Sequence, residues 1–158
     1  MRRIGLAALV LLTAGCAIPS STVEDGGEAP TGVSPGITLY FVDGQGRLRP
    51  DERHTRNLGS IGEAVSLLLT GPGSAAPALH TEITVTGTTR VYATTEPDLI
   101  TLTLPLTRDE VTDRGVDQVV CTALGVHVQS GGSATTRVQL NFTLPGADPH
   151  GPRTCPAT

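Results

Sequence analysis

Three cysteines, Cys16, Cys121 and Cys155, are the side chains of this sequence best suited to covalent chemistry. None belongs to a Cys-x-x-Cys pair or has a histidine beside it, so thiol redox and zinc chemistry lack the spacing they need. The four histidines, His54, His80, His127 and His150, are scattered, with no i, i+3 or i+4 pair to share a metal. No Gly-x-Ser-x-Gly elbow and no Ser-x-x-Lys string marks a serine nucleophile. Asp109, Glu110 and Asp113 gather where a helix is expected to start. Acidic side chains favour the helix dipole there, and this reading outweighs a paired-carboxylate acid–base site. Asn141-Phe142-Thr143 has the form of a glycosylation sequon but falls in an expected strand. These residues point away from an enzyme and imply no cofactor and no metal site.

Charge is concentrated in one place. Between Arg47 and Arg56 lie Arg47, Arg49, Arg53 and Arg56, offset by Asp51 and Glu52. The strip reads either as a solvated edge strand guarded by charge and by Pro50, or as a docking strip for an acidic partner or an anionic wall polymer. The rest of the chain is acidic, with formal charge −4 overall. Nucleic acid binding needs a basic face, so the composition excludes nucleic acid as a partner.

The N-terminal residues carry a different chemistry. Arg2 and Arg3 precede an apolar run from Ile4 to Leu12, far shorter than the roughly 20 residues of a bilayer-spanning helix. Leu12-Thr13-Ala14-Gly15-Cys16 then resembles a lipobox, with the small pair Ala14-Gly15 directly before the cysteine. Residues 1–15 are accordingly expected to be a signal peptide, and Cys16 a lipidated N-terminus on the outer face of the cell membrane. An ordinary secretory signal with an incidental cysteine is the alternative. Two acyl chains would make the anchoring stable, at about 0.8 kcal/mol per buried methylene. Outside the membrane an isolated cysteine pair favours a bridge, so Cys121 and Cys155 are expected to form a disulfide. The bridge would contribute about 3–4 kcal/mol in the chain-entropy model. Half of residues 17–36 are Pro, Gly or Ser, and the charged ones are all acidic. With Cys16, residues 16–36 read as a disordered tether of roughly 25 Å mean reach.

The remaining chain, residues 37–158, must fold around Leu, Val, Ile and Ala, since it has no Trp, two Phe and two Tyr. Ile37 to Val42 predicts a buried strand ended by Asp43-Gly44-Gln45-Gly46, and Arg47 to Arg56 an edge strand. Ser60 and Glu63 have capping-box spacing before the stripe Ile61, Ala64, Val65, Leu68 and Leu69, and Gly71-Pro72 stops this first helix. Alternation from Leu79 to Leu106 predicts a three-stranded meander with turns at Gly87-Thr88 and Glu96-Pro97-Asp98. Thr107 and Glu110 repeat the capping-box spacing before Val116, Val119, Val120, Ala123 and Leu124, with Gly125 as the stop of a second helix. Val138 to Leu144 reads as a last strand. The expected architecture is α+β, a two-layer sandwich of one mostly antiparallel sheet with two amphipathic helices on one face.

Several local strings along this order resemble the GerMN domain. They are Leu39-Tyr40-Phe41, then Leu48 and Arg53, then Ala64, Leu67, Leu68 and Thr70-Gly71-Pro72. Leu79, Thr81 and Ile83 follow, and Gln118-Val119-Val120-Cys121-Thr122 closes the match. The resemblance runs from about Ile37 to Leu144. It implies a lipid-anchored extracytoplasmic module, of the kind first associated with sporulation and germination, that mediates protein contacts without catalysis. It implies no ligand and no site residues. The expected partners are the membrane, through the anchor, and an envelope protein or wall polymer. The alternatives are a wall-associated hydrolase, which would need convergent polar groups in a cleft, and a glycan-binding module, which the scarcity of aromatics disfavours.

Overall fold

The chain from Ile37 forms a strand because it is rich in β-branched and aromatic residues, and it turns back where Asp43 and three flexible residues follow. In the computed structural model, which describes residues 36–84, 87, 89–143 and 151–156, this strand is β1, Ile37–Asp43. The expected signal peptide, Cys16, all of the expected tether but Gly36, and Thr88, Leu144 and His150 lie outside the described residues. β2, Leu48–Arg53, runs antiparallel to β1 from Ile37↔Arg53 to Val42↔Leu48. β3 is only Leu79–His80 and pairs with Asp43 and Val42. The order β2-β1-β3 leaves β2 at an edge.

The remaining strands form a second sheet, which corrects the expectation of a single one. β4, Tyr92–Glu96, and β5, Leu99–Leu104, make an antiparallel hairpin, and β6, Arg137–Phe142, runs parallel to β5. The expected meander breaks because its first strand divides. Leu79 and His80 go to β1, while Ile83 makes an isolated bridge with Val111. A parallel pair needs a long crossover, and the second helix supplies it. The α+β class stands, with three strands in each sheet and only the β5–β6 pair parallel.

α1, Ile61–Leu68, starts at the expected capping box. The Glu63 N–H donates to Ser60 Oγ at 3.2 Å, and the Ser60 N–H donates to Glu63 Oε2 at 2.7 Å. Thr70 Oγ1 donates to the Leu67 carbonyl at 2.6 Å, and Gly71 takes the positive φ (87°) that ends such a helix. The Thr107–Glu110 box is also formed, but it closes a separate 3-10 turn, Arg108–Glu110. Val111 is extended, and Thr112 caps α2, Asp113–Gln129, by accepting the Gly115 N–H at 3.1 Å. Gly125 is therefore inside α2 and not its stop. A β-carbon there would lie 3.7 Å from the Tyr40 ring, whereas Gly131, with φ of 89°, follows the true end.

Both helices touch both sheets: α2 packs on β1 and β6, and α1 on β1 and β4. Between them lies one core in which Leu39, Phe41, Leu68, Ile100, Leu102, Leu104, Leu106 and Leu140 are fully or almost fully buried. Two helical glycines set the approach distances. A β-carbon on Gly62 would sit 2.8 Å from the Val91 carbonyl oxygen, and one on Gly115 would sit 2.5 Å from that of Glu82.

Candidate functional site

The β1–β2 hairpin gathers two arginines of the strip, Arg47 and Arg49, around one carboxylate. Asp43 ends β1 with its side chain turned back into the turn, where Oδ1 accepts the N–H groups of Gln45 (2.9 Å) and Arg47 (3.0 Å). Oδ2 accepts from Nε of both Arg47 and Arg49, each at 3.0 Å. The backbone N–H of Arg47, the guanidinium of Arg49, the N–H of Gln45 and the guanidinium of Arg47 together outweigh partial burial. They hold the Asp43 carboxyl well below the usual carboxylate range. The arginine side chains remain 60% (Arg47) and 49% (Arg49) exposed, against 12% for Asp43.

The other two arginines of the strip stand apart from this cluster. Arg53 pairs with Asp51 of its own strand at 2.6 Å. Its Nη2 also donates to the carbonyls of Gly71 and Pro72, and the guanidinium lies 5.8 Å from the Phe41 ring centroid. Arg53 thus fastens the end of α1 to β2, a structural use of its charge. Arg56 follows β2 with a left-handed backbone, φ 67°.

Gln118 and Thr122 were read only as parts of a helical string, and the structure gives them a specific task. Tyr40 pairs with Pro50 of β2 but turns its N–H and carbonyl to the other side, where β3 is too short to reach them. The open polar groups of Tyr40 are met by side chains of α2. Thr122 Oγ1 accepts its N–H at 3.1 Å, and Gln118 Nε2 donates to its carbonyl at 3.0 Å. Gln118 Oε1 in turn accepts the Glu82 N–H at 2.8 Å. Both side chains are fully buried and satisfied, as buried polar groups must be.

One helical turn along, Cys121 is joined to Cys155. Cys121 sits at mid-helix, since α2 runs past Gly125 to Gln129. The bridge holds a tail segment whose Arg153 exchanges both backbone hydrogen bonds with Val138 of β6, at 2.7 and 2.9 Å. A cavity of about 390 Å³ opens beside the bridge, walled by Tyr40, Leu124, Gly125 and Val128. A larger one, about 640 Å³, lies between the start of α1 and β4. On its α1 side the polar walls have structural partners: Ser60 and Glu63 bond each other, and Ser66 Oγ donates to the Gly62 carbonyl and accepts the Val91 N–H, while Thr89, Arg90 and Thr95 line the other side.

The expected chemistry of the remaining residues resolves locally. His80 faces Glu82 at 3.3 Å, and His127 contacts Thr136 Oγ1 at 3.1 Å. Asp113 pairs with Arg108 at 2.5 Å, and Glu110 caps Thr107. Burial raises the Asp117 carboxyl against the pull of Arg114 and Arg153, with Asp113 adding to the rise. Among the described residues no cluster of His, Cys, Asp or Glu is arranged to hold a metal ion. Comparison with family models, curated proteins and solved structures finds no match. What fold and geometry define is an α+β domain with a disulfide-tied tail and a paired-arginine hairpin.

Proposed function

We propose that this chain is a lipid-anchored extracytoplasmic protein whose domain is a non-catalytic, GerMN-like interaction module of the cell envelope. The observation that carries this reading is the Cys121–Cys155 bridge, since disulfides persist in oxidising compartments outside the cytoplasm. It accords with the lipobox-like string ending at Cys16. No described helix is long and apolar enough to cross a membrane, and in this reading a lipid on Cys16 holds the chain to it. Ser60, Glu63, Asp43, Gln118 and Thr122 are engaged in capping, in the hairpin turn and in the clamp on β1, which is structural work. Involvement in sporulation or germination follows only from the resemblance.

Membrane fractionation of cells expressing the wild type and Cys16→Ser tests it. The wild type is expected in the membrane fraction and open to protease added outside intact spheroplasts. Cys16→Ser should move to the soluble or uncleaved pool. Retention and processing of Cys16→Ser as in the wild type would overturn the anchor.

A further inference from the structure

We infer that Arg47 and Arg49 form a preorganised binding site for phosphoryl groups of a phosphate-bearing polymer. Both Nε atoms bond the same oxygen of Asp43, so the two guanidinium groups lie side by side. Asp43 is itself fixed by two backbone N–H groups and is 8% exposed. Each guanidinium has five donors. Asp43 engages Nε of each, and Gln45 Oε1 takes one bond from Arg47 Nη2 at 2.9 Å. The other Nη donors belong to exposed side chains, and the cluster keeps one net positive charge.

With Nε of each arginine held by Asp43, a tetrahedral phosphoryl group has enough oxygens to bridge the outward Nη donors of both guanidinium groups. Pro50 argues against a polypeptide adding as a strand. Tyr40 turns its polar groups toward α2, so Pro50 faces the free edge of β2 with no N–H to donate. The acidic composition argues against an anionic bilayer, which would be repelled over its whole area. A polymer strand can present single phosphates to a small cationic cluster. Arg53 and Arg56 lie outside the site, since Arg53 is tied to Asp51 and the end of α1. The site deepens the interaction-module reading but stands apart from the anchor: it is tested by binding in solution, and the anchor by fractionation.

The test titrates inorganic polyphosphate into the purified full-length chain and follows the arginine Nε–H resonances, with phosphatidylglycerol vesicles as a second arm. Saturable shifts confined to Arg47 and Arg49 are expected. Affinity should fall about tenfold or more in the Arg47→Gln/Arg49→Gln double variant, the loss appropriate to charge-assisted hydrogen bonds. Arg47→Lys/Arg49→Lys keeps the charge but not the forks, and should also bind several-fold more weakly. Melting temperatures of both double variants confirm that the fold is kept. Unchanged affinity in the Gln variant, full affinity in the Lys variant, or binding to vesicles and not to polyphosphate would each overturn the assignment.

Discussion

Gln118, buried at mid-helix in α2, donates from Nε2 to the carbonyl oxygen of Tyr40 at 3.0 Å and accepts the Glu82 N–H at 2.8 Å. One side chain thereby completes β1 where β3 runs out and ties down the segment that follows β3. Gln118→Ala would leave both backbone groups buried without partners, at about 1–3 kcal/mol each. Chemical denaturation should show a loss of about 2–5 kcal/mol, while Gln129→Ala, at the exposed end of the same helix, should lose under about 0.5 kcal/mol. Equal effects at the two sites would contradict the clamp.

Gly115 gives a prediction with the opposite sign from helix propensity. Replacing an exposed helical glycine with alanine normally stabilises by about 0.8–1 kcal/mol. Here the new β-carbon would lie 2.5 Å from the Glu82 carbonyl oxygen, a backbone atom that cannot swing away. Gly115→Ala should therefore lower the melting temperature. A rise would mean that α2 does not approach Glu82 so closely.

The disulfide should contribute about 3–4 kcal/mol in the chain-entropy model, given the 34-residue separation of its cysteines. Reduction, or Cys121→Ala with Cys155→Ala, should lower the melting temperature by several degrees and speed hydrogen exchange at the Val138 and Arg153 amides. Quantitative alkylation of both cysteines without reductant would contradict the bridge.

Acid should act through Asp43. Its folded-state value is depressed, so its stabilisation is complete above the unfolded value of about 3.9 and is lost as pH falls toward the folded one. Glu63, held down by the Ser60 N–H and hydroxyl, acts in the same direction. The melting-temperature gap between wild type and Asp43→Asn should be wide at pH 7 and should narrow steadily below pH 4. A gap independent of pH would remove Asp43 from its ionised role.

What the sequence disclosed was mostly local. The Ser60–Glu63 spacing located α1, and of its apolar stripe Ala64, Val65, Leu68 and Leu69 are in the core while Ile61 is partly buried against it. The same spacing at Thr107 misled about α2, because a capping box specifies only a first turn, and extended Val111 separates that turn from the helix. Gly125 does not stop α2 because the positive φ that follows a helix end falls later, at Gly131, and a β-carbon at 125 would make only ordinary contact with the Tyr40 ring. Strand pairing was the least legible, since β3 and the Ile83 segment pair with partners distant in sequence, β1 and Val111, that no nearby residue marks. At the hairpin, the residue types of Arg47 and Arg49 were plain, but their convergence on Asp43 depends on the turn and the register of β2.

The central claim, that this is an exported lipoprotein domain, is tested most directly by mass spectrometry of the protein isolated from membranes. The N-terminal peptide should begin at Cys16, carry a diacylglyceryl group and lack residues 1–15, and the domain should contain no free thiol at Cys121 or Cys155. A chain that begins at Met1 or carries an unmodified Cys16, with both other cysteines reduced, would contradict it.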